Sequence, residues 1–146
     1  MPEFSKIVAV SGLPGLYELV SSRSNGAIVR NLQDGRSQFV SGRTQSVLAL
    51  ENVAIFLHGD NSMPVREVLY RMQQQESQNP APDPQADPAA LENYLSVVVP
   101  DYDRRRVHHS DMRRLLRWYH LLKQHHLIPP PEPQPEAAGD SAETKA

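Results

Sequence analysis

Asn25-Gly26-Ala27-Ile28-Val29-Arg30-Asn31-Leu32-Gln33-Asp34-Gly35 sets a short alternating run between two strong hairpin signals. Asn-Gly and Asp-Gly tolerate the positive φ that tight turns demand. Between them, Ala27, Val29 and Asn31 fall on one face and Ile28, Arg30 and Leu32 on the other, the period of a strand. Working outward, Leu16–Val20, Ser37–Val40 and Val53–Leu57 are further runs of strand length. Gly12-Leu13-Pro14-Gly15 predicts a turn in which proline fixes φ. Ile7, Val8 and Val10 predict a strand, entered directly or from a single turn, although Phe4, Ile7 and Val8 also share helical spacing. Such a succession of short strands and tight hairpins predicts an α+β fold opening on a small SH3-like antiparallel β-barrel or strongly curled sheet. Pro64 as the first helical residue after Ser62 or Met63, then Val65, Val68, Leu69 and Met72, adds a trailing amphipathic helix that covers one end of it.

Beyond residue 76 the composition changes. Residues 77–87 (SQNPAPDPQAD) and 129–146 (PPPEPQPEAAGDSAETKA) hold little that offsets the entropy of ordering a chain, and read as a proline-stiffened linker and a disordered tail. Between them, residues 88–128 predict a short helical module. Asp87-Pro88 is a helix start, followed by Leu91, Tyr94, Leu95 and Val98 and stopped at Pro100. Ser110-Asp111 predicts the start of the last helix, with Ser110 as cap and Met112, Leu115, Leu116, Tyr119 and Leu122 as its apolar stripe. Tyr102 and Val107 are the candidate anchors of the connector between the two helices. The expected division is therefore a β domain with trailing helix over 1–76, a linker over 77–87, a helical module over 88–128 and a tail over 129–146. A module of about forty residues is marginal alone, so it is expected to dock on the β domain or use a partner.

The 146-residue chain has no cysteine, which excludes disulfides, thiolate metal sites and cysteine nucleophiles. No window approaches the roughly 18 apolar residues of a membrane helix, and the N-terminus lacks the pattern of a signal peptide, so a cytoplasmic protein without membrane contact is expected. The net charge of −2 conceals an asymmetry. Residues 76–100 carry −4, residues 101–128 carry +4 with five histidines, and the tail from 129 carries −3.

Enzymatic chemistry finds little footing. His108, His109, His120, His125 and His126 lack the i,i+4 spacing of helical metal ligands, since His120 and His125 stand about 140° apart around a helix. No metal or cofactor is expected. Asp101 and Asp103 precede three arginines that would hold them ionised, the opposite of a general acid. Ser11-Gly12 and Ser41-Gly42 are not nucleophile elbows, and Gly12-Leu13-Pro14-Gly15 lacks the Lys-Ser/Thr of a phosphate loop.

The candidate binding patch is basic: Arg104, Arg105, Arg106, Arg113, Arg114, Arg117 and Lys123, with Trp118 among them. Arginines interleaved with aromatics can engage phosphates and stack on bases, and they can equally pair with an acidic protein surface or with this chain's own acidic segments. The expected function is a non-catalytic protein-interaction module with a protein partner or self-association. The alternatives are RNA or single-stranded nucleic-acid binding through the basic helix and, least supported by the motifs, an enzyme.

Two blocks of the chain carry a resemblance. Ser11-Gly12-Leu13-Pro14-Gly15-Leu16-Tyr17, and Pro100-Asp101-Tyr102-Asp103 with Arg106-Val107, Ser110-Asp111-Met112-Arg113 and Trp118-Tyr119, resemble a family of small uncharacterised Bacteroidetes proteins. Its members pair an N-terminal domain of unknown function with a short C-terminal helical module. The resemblance spans residues 4–75 and 90–125. It implies a bacterial cytoplasmic protein of two modules, and it transfers no activity and no catalytic residues.

Overall fold

The computed structural model describes residues 3–13 and 15–129. Pro14 of the expected turn lies outside them, as does the tail beyond Pro129. The flanking Gly12 and Gly15 both take φ near +80°, the left-handed region a turn requires.

A single 3₁₀ turn at Phe4–Lys6 leads into β1 (Ile7–Val10), followed by β2 (Tyr17–Arg23), β3 (Gly26–Asn31), β4 (Ser37–Ser41) and β5 (Val47–Ala49). These form one antiparallel sheet in the order β4-β3-β2-β1-β5. Asn31 organises the β3–β4 turn: its side-chain oxygen accepts from the amides of Gln33 and Asp34, and Gly35 takes φ +73°. Gly26 has a different role. A Cβ there would lie 2.1 Å from the Val40 carbonyl oxygen, so glycine lets β3 and β4 approach.

The expected barrel or strongly curled sheet is not formed. The sheet is open: β4 and β5 are its two edges and do not pair with each other. The chain explains why. After β5, the 3₁₀ turn Leu50–Asn52 carries it out of the sheet, and β6 (Ala54–Phe56) pairs with β7 (Ser62–Pro64) in a separate two-stranded sheet. The Val53–Leu57 run is thereby withdrawn from the main sheet. Helices cover the apolar face that closure would have covered.

α1 (Val65–Gln75) buries Val65, Val68, Leu69 and Met72; α2 (Pro88–Val98) buries Leu91, Tyr94, Leu95 and Val98. α3 (His109–Gln124) buries Met112, Leu115, Leu116, Trp118, Tyr119 and Leu122. These stripes meet Phe4, Ile7, Leu16 and Leu50 in one continuous core. Each fully buried aliphatic or aromatic side chain there contributes about 1.5–3 kcal/mol. Alternation along β1 sends Val8 and Val10 to the other face, where they pack with Tyr17, Ala27, Val29 and Val40. The helix starts differ slightly from the expected ones. Pro64 precedes α1 as its N-cap, and α3 is capped at His108 rather than Ser110: the Asp111 carboxylate accepts from the His108 amide at 2.9 Å.

Candidate functional site

The expected basic patch does not gather into one surface. Arg106 is held within the fold: its guanidinium donates to Asp103 at 2.9 Å and to the carbonyls of Leu57 and Gly59, and lies 4.6 Å from the Phe56 ring centroid. It ties the connector between α2 and α3 to the β6–β7 hairpin, where Tyr102 also bridges to Leu57. Arg104 donates to the Tyr102 hydroxyl and stacks over that ring. The exposed Arg105 contributes its backbone amide to Asp103. That amide bond, the Arg106 side chain and the Arg106 charge hold the Asp103 carboxyl below its ordinary range, against a small desolvation that works the other way. On another side of α3, Arg113 donates to the Ala86 carbonyl and Lys123 pairs with Glu76 at 3.4 Å. Tyr119 donates to the same Glu76 carboxylate at 2.6 Å, and His120 bonds the Pro82 carbonyl at 3.0 Å. The segment joining α1 to α2 thus runs along α3, with Ala81 and Ala86 packed on the core.

Arg114, Arg117 and Trp118 are brought together elsewhere. They line an open groove of about 1150 Å³ where α3 diverges from the sheet. From the sheet side it is lined by Ala9, Val10 and Leu48 with Leu13 of the β1–β2 loop, and from α3 also by Leu121. Asp83, Pro84 and His120 border it as well. A smaller recess of about 170 Å³ beside β6 shares Arg114 and Trp118 with the groove. Trp118 is only 6% exposed and presents an edge to both. Arg114 approaches Asp111 at 3.9 Å, and Arg117 forms no ion pair or hydrogen bond with any described residue.

The other histidines are dispersed. His109 pairs with Glu92, and His108 and His126 are exposed at the two ends of α3. Among the described residues no three His, Asp or Glu side chains converge as metal ligands. No helix among them is long and apolar enough to cross a membrane.

The sheet wall of the groove escaped sequence reasoning because β5 is only Val47–Ala49, set behind the polar Arg43-Thr44-Gln45-Ser46. The available signal was Trp118 flanking the apolar stripe of α3, with Arg114 and Arg117 one turn apart on the same side.

This architecture, an open antiparallel sheet followed by a helical unit, corresponds to two matched families. Residues 4–50 match a domain of unknown function (DUF5606), and residues 53–122 match a second (DUF6852). A solution NMR structure of a protein from Bacteroides vulgatus superposes with a TM-score of 0.63 at 30% sequence identity, covering 82% of this chain and 84% of that one. The chain belongs to this family of Bacteroidetes proteins of unknown function. No curated protein matches it.

Proposed function

We propose that the protein is a non-catalytic interaction module of the bacterial cytoplasm whose binding site for a protein partner is the groove between α3 and the β1–β5 end of the sheet. The groove carries the reading: apolar side chains from sheet and helix line it, and Arg114 and Arg117 stand at its border, with Asp83 among its lining residues and Asp111 beside Arg114. Concave apolar surfaces with a few polar groups are where ligands bury most area. The carboxylates favour the same reading. The amide and guanidinium donors of Asp103 favour its ionised form, so it is not poised to give up a proton as a general acid, and Asp111 is engaged as the cap of α3. Nucleic-acid binding has less support, because Arg106 and Lys123 are engaged within the fold and the remaining arginines are distributed over different sides.

Panning a random dodecapeptide phage library on the full chain, with Trp118 fluorescence as the binding signal, tests this. Peptides enriched in acidic and apolar residues are expected. The Arg114→Glu/Arg117→Glu double variant should lose them, and Arg104→Glu/Arg105→Glu should bind as before. Failure to enrich any peptide, or enrichment indifferent to Arg114 and Arg117, would remove the reading.

A further inference from the structure

We infer that the groove captures its partner by strand addition: an extended segment of a partner protein, mixing apolar and acidic residues, pairs with the free edge of β5 and lays alternate side chains against α3. The inference rests on the reading of the groove as a protein-binding site and assigns its mode and its ligand class.

The direction of the β5 backbone follows from one bond. Ser11 donates its amide to the Ser46 carbonyl at 2.9 Å, in register with Val10↔Val47, Ala9↔Leu48 and Val8↔Ala49. Strand alternation then turns the backbone groups of Ser46 and Leu48 toward β1, and those of Val47 and Ala49 away from it. The Ala49 carbonyl is used by the following 3₁₀ turn, of which Ala49 is the N-cap, but no described residue bonds the backbone groups of Val47 or the Ala49 amide, and β5 is the last strand on that side. Proteins ordinarily protect such an edge with charge or proline. Val47-Leu48-Ala49 has neither, and leaves Val47 38% and Leu48 42% exposed.

The edge borders the groove. Leu48 lines it from the same strand, and Trp118, Leu121, Arg114 and Arg117 line it from α3. A strand laid along β5 would direct every second side chain toward that helix and the intervening ones to the side of Val47. Main-chain bonds to Val47 and Ala49 would supply affinity, and the helix-facing positions would supply specificity. At those positions Trp118 and Leu121 favour an apolar side chain, and Arg117, which pairs with no described residue, favours a carboxylate.

Ala49 permits a selective test. Its φ of −73° and ψ of 128° suit proline, so Ala49→Pro removes the outward N–H while leaving the φ that the strand already has. The probe is the tightest peptide from the panning. It should bind Ala49→Pro about tenfold or more weakly and should slow hydrogen exchange at the Val47 and Ala49 amides of the unaltered chain. The exchange measurement decides alone if the variant does not fold. A peptide that depends on Arg114 and Arg117 but leaves both amides exchanging as before overturns strand addition and leaves the groove reading standing. With no peptide selected, both fall.

Discussion

Tyr119 and Tyr94 are both buried hydroxyls in the helical layer, and their circumstances are opposite. Tyr119 donates to Glu76, whereas the Tyr94 hydroxyl has no partner among the described residues. Burial works against the Glu76 charge, but Tyr119 and Lys123 together outweigh it and hold the carboxyl below its ordinary 4.5. A carboxyl with a depressed folded-state pKa stabilises the fold above its unfolded value, and that contribution is lost as pH falls through the folded value. Tyr119→Phe should therefore cost about 1.5–3 kcal/mol near neutrality and flatten the decline of stability below pH about 4.5. Tyr94→Phe should be neutral or stabilising by about 1 kcal/mol, because it removes an unsatisfied polar group. Urea unfolding of both variants from pH 3 to 7 checks the pair. Equal losses would mean that the Glu76 bond contributes nothing specific. At this scale the sequence is a poor guide to what a side chain does. The charge of Arg106 is evident, but its acceptors, Leu57 and Gly59, lie nearly fifty residues away.

α3 is the element on which both core and groove depend. Leu115 faces the core at 3% exposure, and Arg114 and Trp118 beside it reach the groove. Leu115→Ala should cost about 2–5 kcal/mol, read as a lowered midpoint in thermal and chemical unfolding. An unchanged melt would show that α3 is not part of a packed unit. The helices were legible through their apolar stripes, and α2 also through its start signal, Asp87 followed by Pro88. β2, β3 and β4 were legible for the corresponding reason, alternation bounded by turn residues. β5 and β7, of three residues each, are too short for alternation to register. Closure of the sheet was misjudged because a count of strands and hairpins carries no information on where β6 pairs. That depends on the Leu50–Asn52 turn and on β7, whose Met63 meets Ile55 across the small sheet. The groove was hidden for the same reason, since it needs β5 beside α3, a juxtaposition over some seventy positions of sequence.

Across the whole molecule, the two family matches divide the chain where its packing does not. The seam falls at residues 51–52, inside the 3₁₀ turn, yet the fully buried Leu50 on one side joins Phe4, Ile7 and Leu16 in the core formed by all three helices. Each side of the seam leaves the other an uncovered apolar face. The chain should consequently behave as a natural split protein. Severed between Glu51 and Asn52, fragments 1–51 and 52–146 should each be poorly folded alone, and should complement one another on mixing to restore a dispersed amide spectrum. Two fragments that each gave a dispersed spectrum unaided, and did not associate, would contradict this. Reconstitution would make complementation a measure of the seam itself, with the yield falling when Leu50 is shortened to alanine. It would also permit labelling one half at a time, so that Val47 and Ala49 could be observed without signals from the helices they border.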